Sequence, residues 1–320
     1  GMCGASNMGW YESYCEDRSA LASESLQHDG RHAYLVMAHN EEAILHELLK
    51  DLDDERNDIF LHVDAKATRI MDKELVADVK KASLRLLERT DVRWGSYSQI
   101  ECVHKLLAEA TAQGPHDYYH FLVGTEFPLK SQDYIHDYFR SNLGTEFIGY
   151  DSMGEASRWR ISLYHPFARC ARPANRREAG LDLLRRVFVK VQKAVGIDRL
   201  RGSSIEIKKG NANWSITDPL ARYLVEEMPR HKSMFDWSYC ADELIVHTLV
   251  YNSPFIERVK NLDDEYESNM RVVQWNDEKN LYHEEDLPFL LATDKLFARK
   301  FSGREGLSLI RAIRRARQQG

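Results

Sequence analysis

Asp242 and Glu243, side by side, are the residues of this sequence best placed to move a proton. They open a run in which Leu244, Ile245, Thr248 and Leu249 recur at helical spacing, and that helix should stop by Asn252, ahead of Pro254. Phe235, Trp237 and Tyr239 lead into the turn. A carboxylate in a first helical turn feels the positive helix end and its free N–H groups, which favour the ionised form and suit it to general-base work. Acids there are also ordinary capping chemistry, so the pair needs support from elsewhere in the chain.

The elements that would supply it alternate. Residues 33–38, 59–63, 91–94 and 118–124 read as short strands, and helical period follows each: over 41–52, within 72–87, over 99–110 and near 133–139. A last strand covers 146–150. This order predicts an α/β fold with a central, mainly parallel sheet flanked by helices, and such sheets bind ligands at the carboxyl ends of their strands. His39, Asp64, Trp94 and Glu126 fall at or just past those ends. An Asp can accept hydrogen bonds from a ribose or a uracil, and Trp94 offers a flat stacking face.

Missing patterns narrow the chemistry. No G-x-G-x-x-G follows the first strand, no phosphate-binding glycine loop is written, and no Asp-x-Asp sits at a strand end to present a metal. Bound phosphates would therefore be held by cationic side chains. Residues 156–210 are the basic part of the chain, with 14 Lys and Arg against 4 Asp and Glu; the whole chain sums to −6, so the rest is strongly acidic. Within that segment, 181–197 reads as an amphipathic helix with Leu184, Val187, Val191 and Val195 on one face. Its charged side is expected to be solvated, with a groove for an anionic acceptor or an acidic membrane surface as alternatives. Aromatic residues are not interleaved with the basic run, so no nucleic acid is expected.

Further on, a short strand near 213–216 precedes a helix capped by Thr217 or Asp218. Arg271 starts a strand over 270–275, and Arg299 and Lys300 lie near the end of a helical segment within 286–301. Residues 303–320 read as a basic helical tail, solvated or partner-binding.

Taken in order, LHVDAKA, RWGSYSQIECV, YYHFLVGTEFPLKS, KGNANWSIT, ADE, MRVVQW and LFARKF resemble the core-2/I-branching glycosyltransferases, over about residues 33–301. The resemblance implies a GT-A-type nucleotide-sugar fold, a UDP-sugar donor of the N-acetylglucosamine, xylose or glucuronate type, inversion at the anomeric carbon, and no metal or other cofactor. It implies Glu243 as catalytic base, Arg271 and Lys300 as diphosphate cations, and nucleotide contacts from Met37, Ala38, His39, Asp64 and Trp94. Glu126 stands where the family usually has Asp at the donor edge. Arg158 and Trp159 match an Arg–Trp pair near the sugar or acceptor.

The expected organisation is an N-terminal arm over 1–30 and one glycosyltransferase domain over 31–302, followed by the tail. The domain divides into a nucleotide-binding half, 31–150, and an acceptor half, 151–302. The acceptor is expected to be a saccharide or glycoconjugate; the alternative reading is a non-catalytic glycan-binding scaffold. No apolar run is long enough to span a membrane, the start lacks a signal-peptide layout, and Cys3, Cys15, Cys102, Cys170 and Cys240 form no CxxC pair. A cytoplasmic setting with peripheral contact at the inner face of a membrane is the expectation.

Overall fold

A computed structural model describes residues 29–319, so nearly all of the expected N-terminal arm, with Cys3 and Cys15, lies outside the described residues. The first strand, β1 (His32–Ala38), is followed by α1 (Glu42–Leu52), β2 (Asn57–Val63) and α2 (Asp72–Asp78). Next come β3 (Ser83–Leu86), α3 (Ser98–Ala112), β4 (Tyr118–Val123), β5 (Glu126–Pro128) and α4 (Gln132–Ser141). The main sheet has the order β3-β2-β1-β4-β6, where β6 is Ser215–Thr217. Strands β1 to β4 are parallel and β6 runs antiparallel to β4. The central sheet is thus mainly parallel, as the alternation of elements predicts.

Period-two alternation sends each strand's side chains to two cores. Ala33, Leu35, Phe60 and Phe121 pack with Val103 and Leu107 of α3 on one face. Tyr34, Val36, Leu61 and Leu122 pack with Leu48 of α1 and Phe139 of α4 on the other. The second half adds α5 (Arg176–Val195), α6 (Asp218–Arg230) and α7 (Ile245–Tyr251), then β7 (Arg271–Val273), α8 (Leu287–Ala292), β8 (Phe297–Arg299) and α9 (Gly303–Gln319). A second sheet, β5-β8-β7, sits at the end of β4 and ties residues near 300 to those near 126.

Five local expectations are corrected. Residues 83–86 form an edge strand rather than the end of a helix, because Ser-Leu-Arg-Leu alternates exposed and half-buried positions. Residues 91–94 form no strand; they are a loop. Residues 146–150 make only isolated bridges, from Glu146 to Val259 and from Phe147 to Ser215. Lys300 follows a strand, not a helix.

The fifth correction concerns the tail. Helix α9 is docked: Leu309, Ile310 and Ile313 are buried with Ile44 of α1 and Phe127 of β5. Arg317 donates to Asp51, and Arg314 pairs with Glu47.

Candidate active site

The acidic pair lies in a short 3-10 turn, Ala241–Glu243, one step before α7, rather than in that helix's first turn. Leu244, Ile245, Thr248 and Leu249 are buried as their spacing predicts. Two cations hold Glu243 at the same oxygen: Arg160 Nη1 donates to Oε2 at 2.8 Å and Lys209 Nζ lies 3.8 Å from it. Lys209 in turn pairs with Asp151 at 2.5 Å. Its neighbour Gly210 donates from its backbone to the Glu243 carbonyl at 3.2 Å. Only glycine fits there, since a Cβ would stand 1.8 Å from the Gly149 oxygen.

Asp242 is recessed, 3.5 Å from the Gln99 side chain. Burial and the adjacent Glu243 charge raise its pKa to about 6. Of the two acids, then, Asp242 does not have the ionised form favoured, contrary to the helix-terminus argument.

The strand-end residues divide into two groups. Asp64 is buried at the end of β2 and accepts from the Val92 backbone at 3.1 Å and from Lys66. It thereby anchors the loop that carries Trp94. The Trp94 ring meets Tyr239 edge-on at 5.8 Å and carries the Arg172 guanidinium 3.9 Å above it. His39 stands in the field of Asp64, Lys66, Arg172 and Lys300. Met37 and Ala38 commit their carbonyls to the backbones of Gly124 and Asp64 and so shape the end of β1.

The second group is enclosed. Glu126 is fully buried and accepts from Asn213, from the Val123 backbone and from Arg271. Burial raises its pKa. Arg271 is 2% exposed, and its guanidinium also reaches the carbonyls of Asn269, Trp214 and Phe121. Neither side chain opens onto the crevice, because a desolvated cation keeps an ion-pair partner and carbonyl acceptors of its own.

The cations that gather near His39 and Asp242 are others. Lys300 is depressed by burial and by the charges of Arg299 and Arg172. Arg299 acts on Asp242, and its Nε is buried with no hydrogen-bond partner. Among the described residues, none of Arg172, Arg299 and Lys300 makes an ion pair with a carboxylate. Cations that raise each other's energy in this way form a site prepared for an anion.

Arg158 instead pairs with Asp198 at 3.0 Å. Trp159 lies 5.9 Å from Tyr239 and 4.8 Å below Lys193. Arg160, Lys209, Arg172 and Arg299 are the site residues that sequence reasoning passes over; Lys209 and Arg299 stand in basic doublets and Arg160 and Arg172 lie in the basic segment, which was the only signal. Among the described residues, the group able to ligate a metal jointly, Glu42, His46 and Glu74, lies on α1 and α2, outside this set.

Among solved structures, the chain is similar to the apo form of mouse xyloside xylosyltransferase 1, with 10% identity and a TM-score of 0.36, over 83% of this chain and 96% of that one. No curated protein sequence matches it. A family model for the core-2/I-branching enzymes matches residues 32–289, the span that carries both strand-end groups and the acidic turn, and the chain belongs to that glycosyltransferase family.

Proposed function

We propose that this glycosyltransferase moves a sugar from a UDP-sugar to a hydroxyl of a saccharide or glycoconjugate, with inversion and without a metal. The observation that carries the reading is that Glu243 adjoins Asp242, whose carboxyl feels Arg299, while Arg299 and Arg172 both act on Lys300, so the base stands one residue away from a group in the field of an unneutralised cation cluster. The acceptor oxygen attacks the anomeric carbon as the bond to the diphosphate breaks. The bonding pair leaves on the β-phosphate oxygen, and the acceptor proton passes to Glu243.

The three cations stabilise the charge that develops on the diphosphate, the work a divalent ion does elsewhere. Trp94 and Asp64 supply the nucleotide end, with His39 in the field of Asp64, Arg172 and Lys300. Arg271 and Glu126 support this wall from inside, by fixing β7 and β5 against β4.

The test is thermal stability against a panel of nucleotide sugars, with and without EDTA. A ligand that binds only the folded state raises Tm, by an amount set by its concentration over Kd. The reading expects a shift with one UDP-sugar that EDTA leaves unchanged. A shift that EDTA removes would refute metal independence, and no shift with any UDP-sugar would refute the donor class.

A further inference from the structure

Helix α5 is packed with the opposite side inward from the one its sequence offers. Its inward residues are Asp182, Arg185, Val189 and Gln192. The polar ones satisfy each other or their neighbours: Arg185 donates to Asp182 at 2.7 Å, and Gln192 exchanges two hydrogen bonds with the Tyr164 backbone. Outward stand Leu183, Leu184, Val187, Phe188, Val191 and Val195, each between 44% and 67% exposed. At helical spacing these six occupy an arc of about 140° along the helix from Leu183 to its end at Val195, a continuous apolar stripe rather than scattered surface residues.

The charge around that stripe has one sign. Both acids of α5 are turned away from it: Asp182 is buried, and Glu178 is half-buried and caps the Ala174 backbone. Arg176, Arg177, Arg186, Lys190 and Lys193 are exposed. Arg186, Lys190 and Lys193 follow one border of the stripe at helical spacing. A chain of net charge −6 thus presents an apolar face with one basic border, made by Lys190, Lys193 and Arg186, the last of which also pairs with Asp182 at 3.1 Å. That combination complements a surface that is apolar beneath and anionic at its boundary. No described helix is long and apolar enough to cross a membrane, so the mode is one of lying on the surface.

We infer that α5 docks the protein onto an anionic lipid bilayer, with the six apolar side chains entering the acyl boundary and the basic border meeting the headgroups. The inward face of the same helix carries Arg185, whose guanidinium lies 4.6 Å from the Tyr239 ring beside Trp94, so docking sets the crevice close to the bilayer.

The test is co-sedimentation of the full chain with phosphatidylcholine vesicles, with and without phosphatidylglycerol, alongside the double variant Val187→Glu, Val191→Glu. Both positions are solvent-exposed, so the variant should keep its melting temperature, and a second variant, Lys190→Glu, tests the electrostatic part alone. Binding that requires phosphatidylglycerol, weakens with salt, falls roughly tenfold or more in the double variant and partly in Lys190→Glu is the expected result. Absence of binding to the anionic vesicles, or equal binding by the double variant, overturns the inference. So does a dimer in light scattering that the double variant converts to monomer with vesicle binding unchanged, since the face would then belong to a second copy.

Discussion

Arg160 donates to the Glu243 carboxylate at 2.8 Å across 83 residues of sequence, while its own carbonyl accepts from the Tyr239 backbone at 2.9 Å. One residue therefore fixes both the turn that bears Glu243, the proposed base, and the aromatic residue in front of it. Arg160→Met should leave donor binding nearly intact and lower kcat by about 10- to 100-fold, since a base out of position loses most of its advantage. Comparing kcat with the donor KM checks this. A change confined to KM would place Arg160 in binding instead.

Removing the base itself should cost more. Glu243→Gln keeps the shape and hydrogen-bonding reach but cannot take a proton, and kcat should fall by roughly 10²- to 10⁴-fold. The Tm rise produced by the UDP-sugar should persist in this variant. Full activity would exclude Glu243 as base.

Lys300 and Arg271 stand in different surroundings, the one beside other cations and the other buried against Glu126, and substitution should separate their effects. Lys300→Ala should weaken UDP binding by about tenfold to a hundredfold, the worth of one charge-assisted contact of about 1.5–3 kcal/mol, with stability little changed. Arg271→Ala leaves Glu126 buried without its cation and should cost about 3–5 kcal/mol of stability. Isothermal calorimetry with UDP, paired with urea unfolding, distinguishes the two.

Asp242 gives a pH signature. Its pKa rises from 3.8 to about 6 on folding, so the folded state holds the proton more tightly than the unfolded chain. The stability this contributes is present below 3.8 and is lost as pH rises through about 6. Asp242→Asn escapes that loss and should gain stability relative to the parent protein, by up to about 3 kcal/mol near pH 8 and much less near pH 4. Urea midpoints across this range provide the measurement; a constant difference would refute the shift.

Gly210→Ala should displace the Gly149 carbonyl, which a Cβ would approach to 1.8 Å, and with it Lys209 beside the base. Activity should drop at least tenfold, and a crystal structure of the variant should show the 149 or 210 backbone moved.

Strands β1, β2 and β4 of the parallel sheet could be read from the chain because each declares its own period within a dozen residues, whereas the four residues of β3 read as the end of a helix. Asp64 was legible for the same reason as β2, since it follows from where that strand ends, whereas Trp94 falls at the end of an expected strand that does not form and owes its place to the loop that Asp64 anchors. What could not be read depends on partners far away in sequence. Glu126 and Arg271 look like crevice residues until their 145-residue separation closes into a buried pair. Arg160 and Arg158 are two positions apart on one turn, yet one meets Glu243 and the other Asp198. Periodicity marked the apolar side of α5 but not its direction; the inward side was decided by Asp182 and Gln192 finding partners.

The pairing of β5 with β8, and of α9 with α1, has a consequence for how the protein is made. Ile44 and Phe127 belong to a core whose other members include Phe301, Leu309, Ile310 and Ile313. During synthesis the first half can form its parallel strands, but that core stays open until the chain has been extended past residue 313. The side of the crevice built on α1 and β5 is therefore among the last parts to become rigid, and a nascent chain that already holds His39, Asp64 and Glu126 would still lack Lys300.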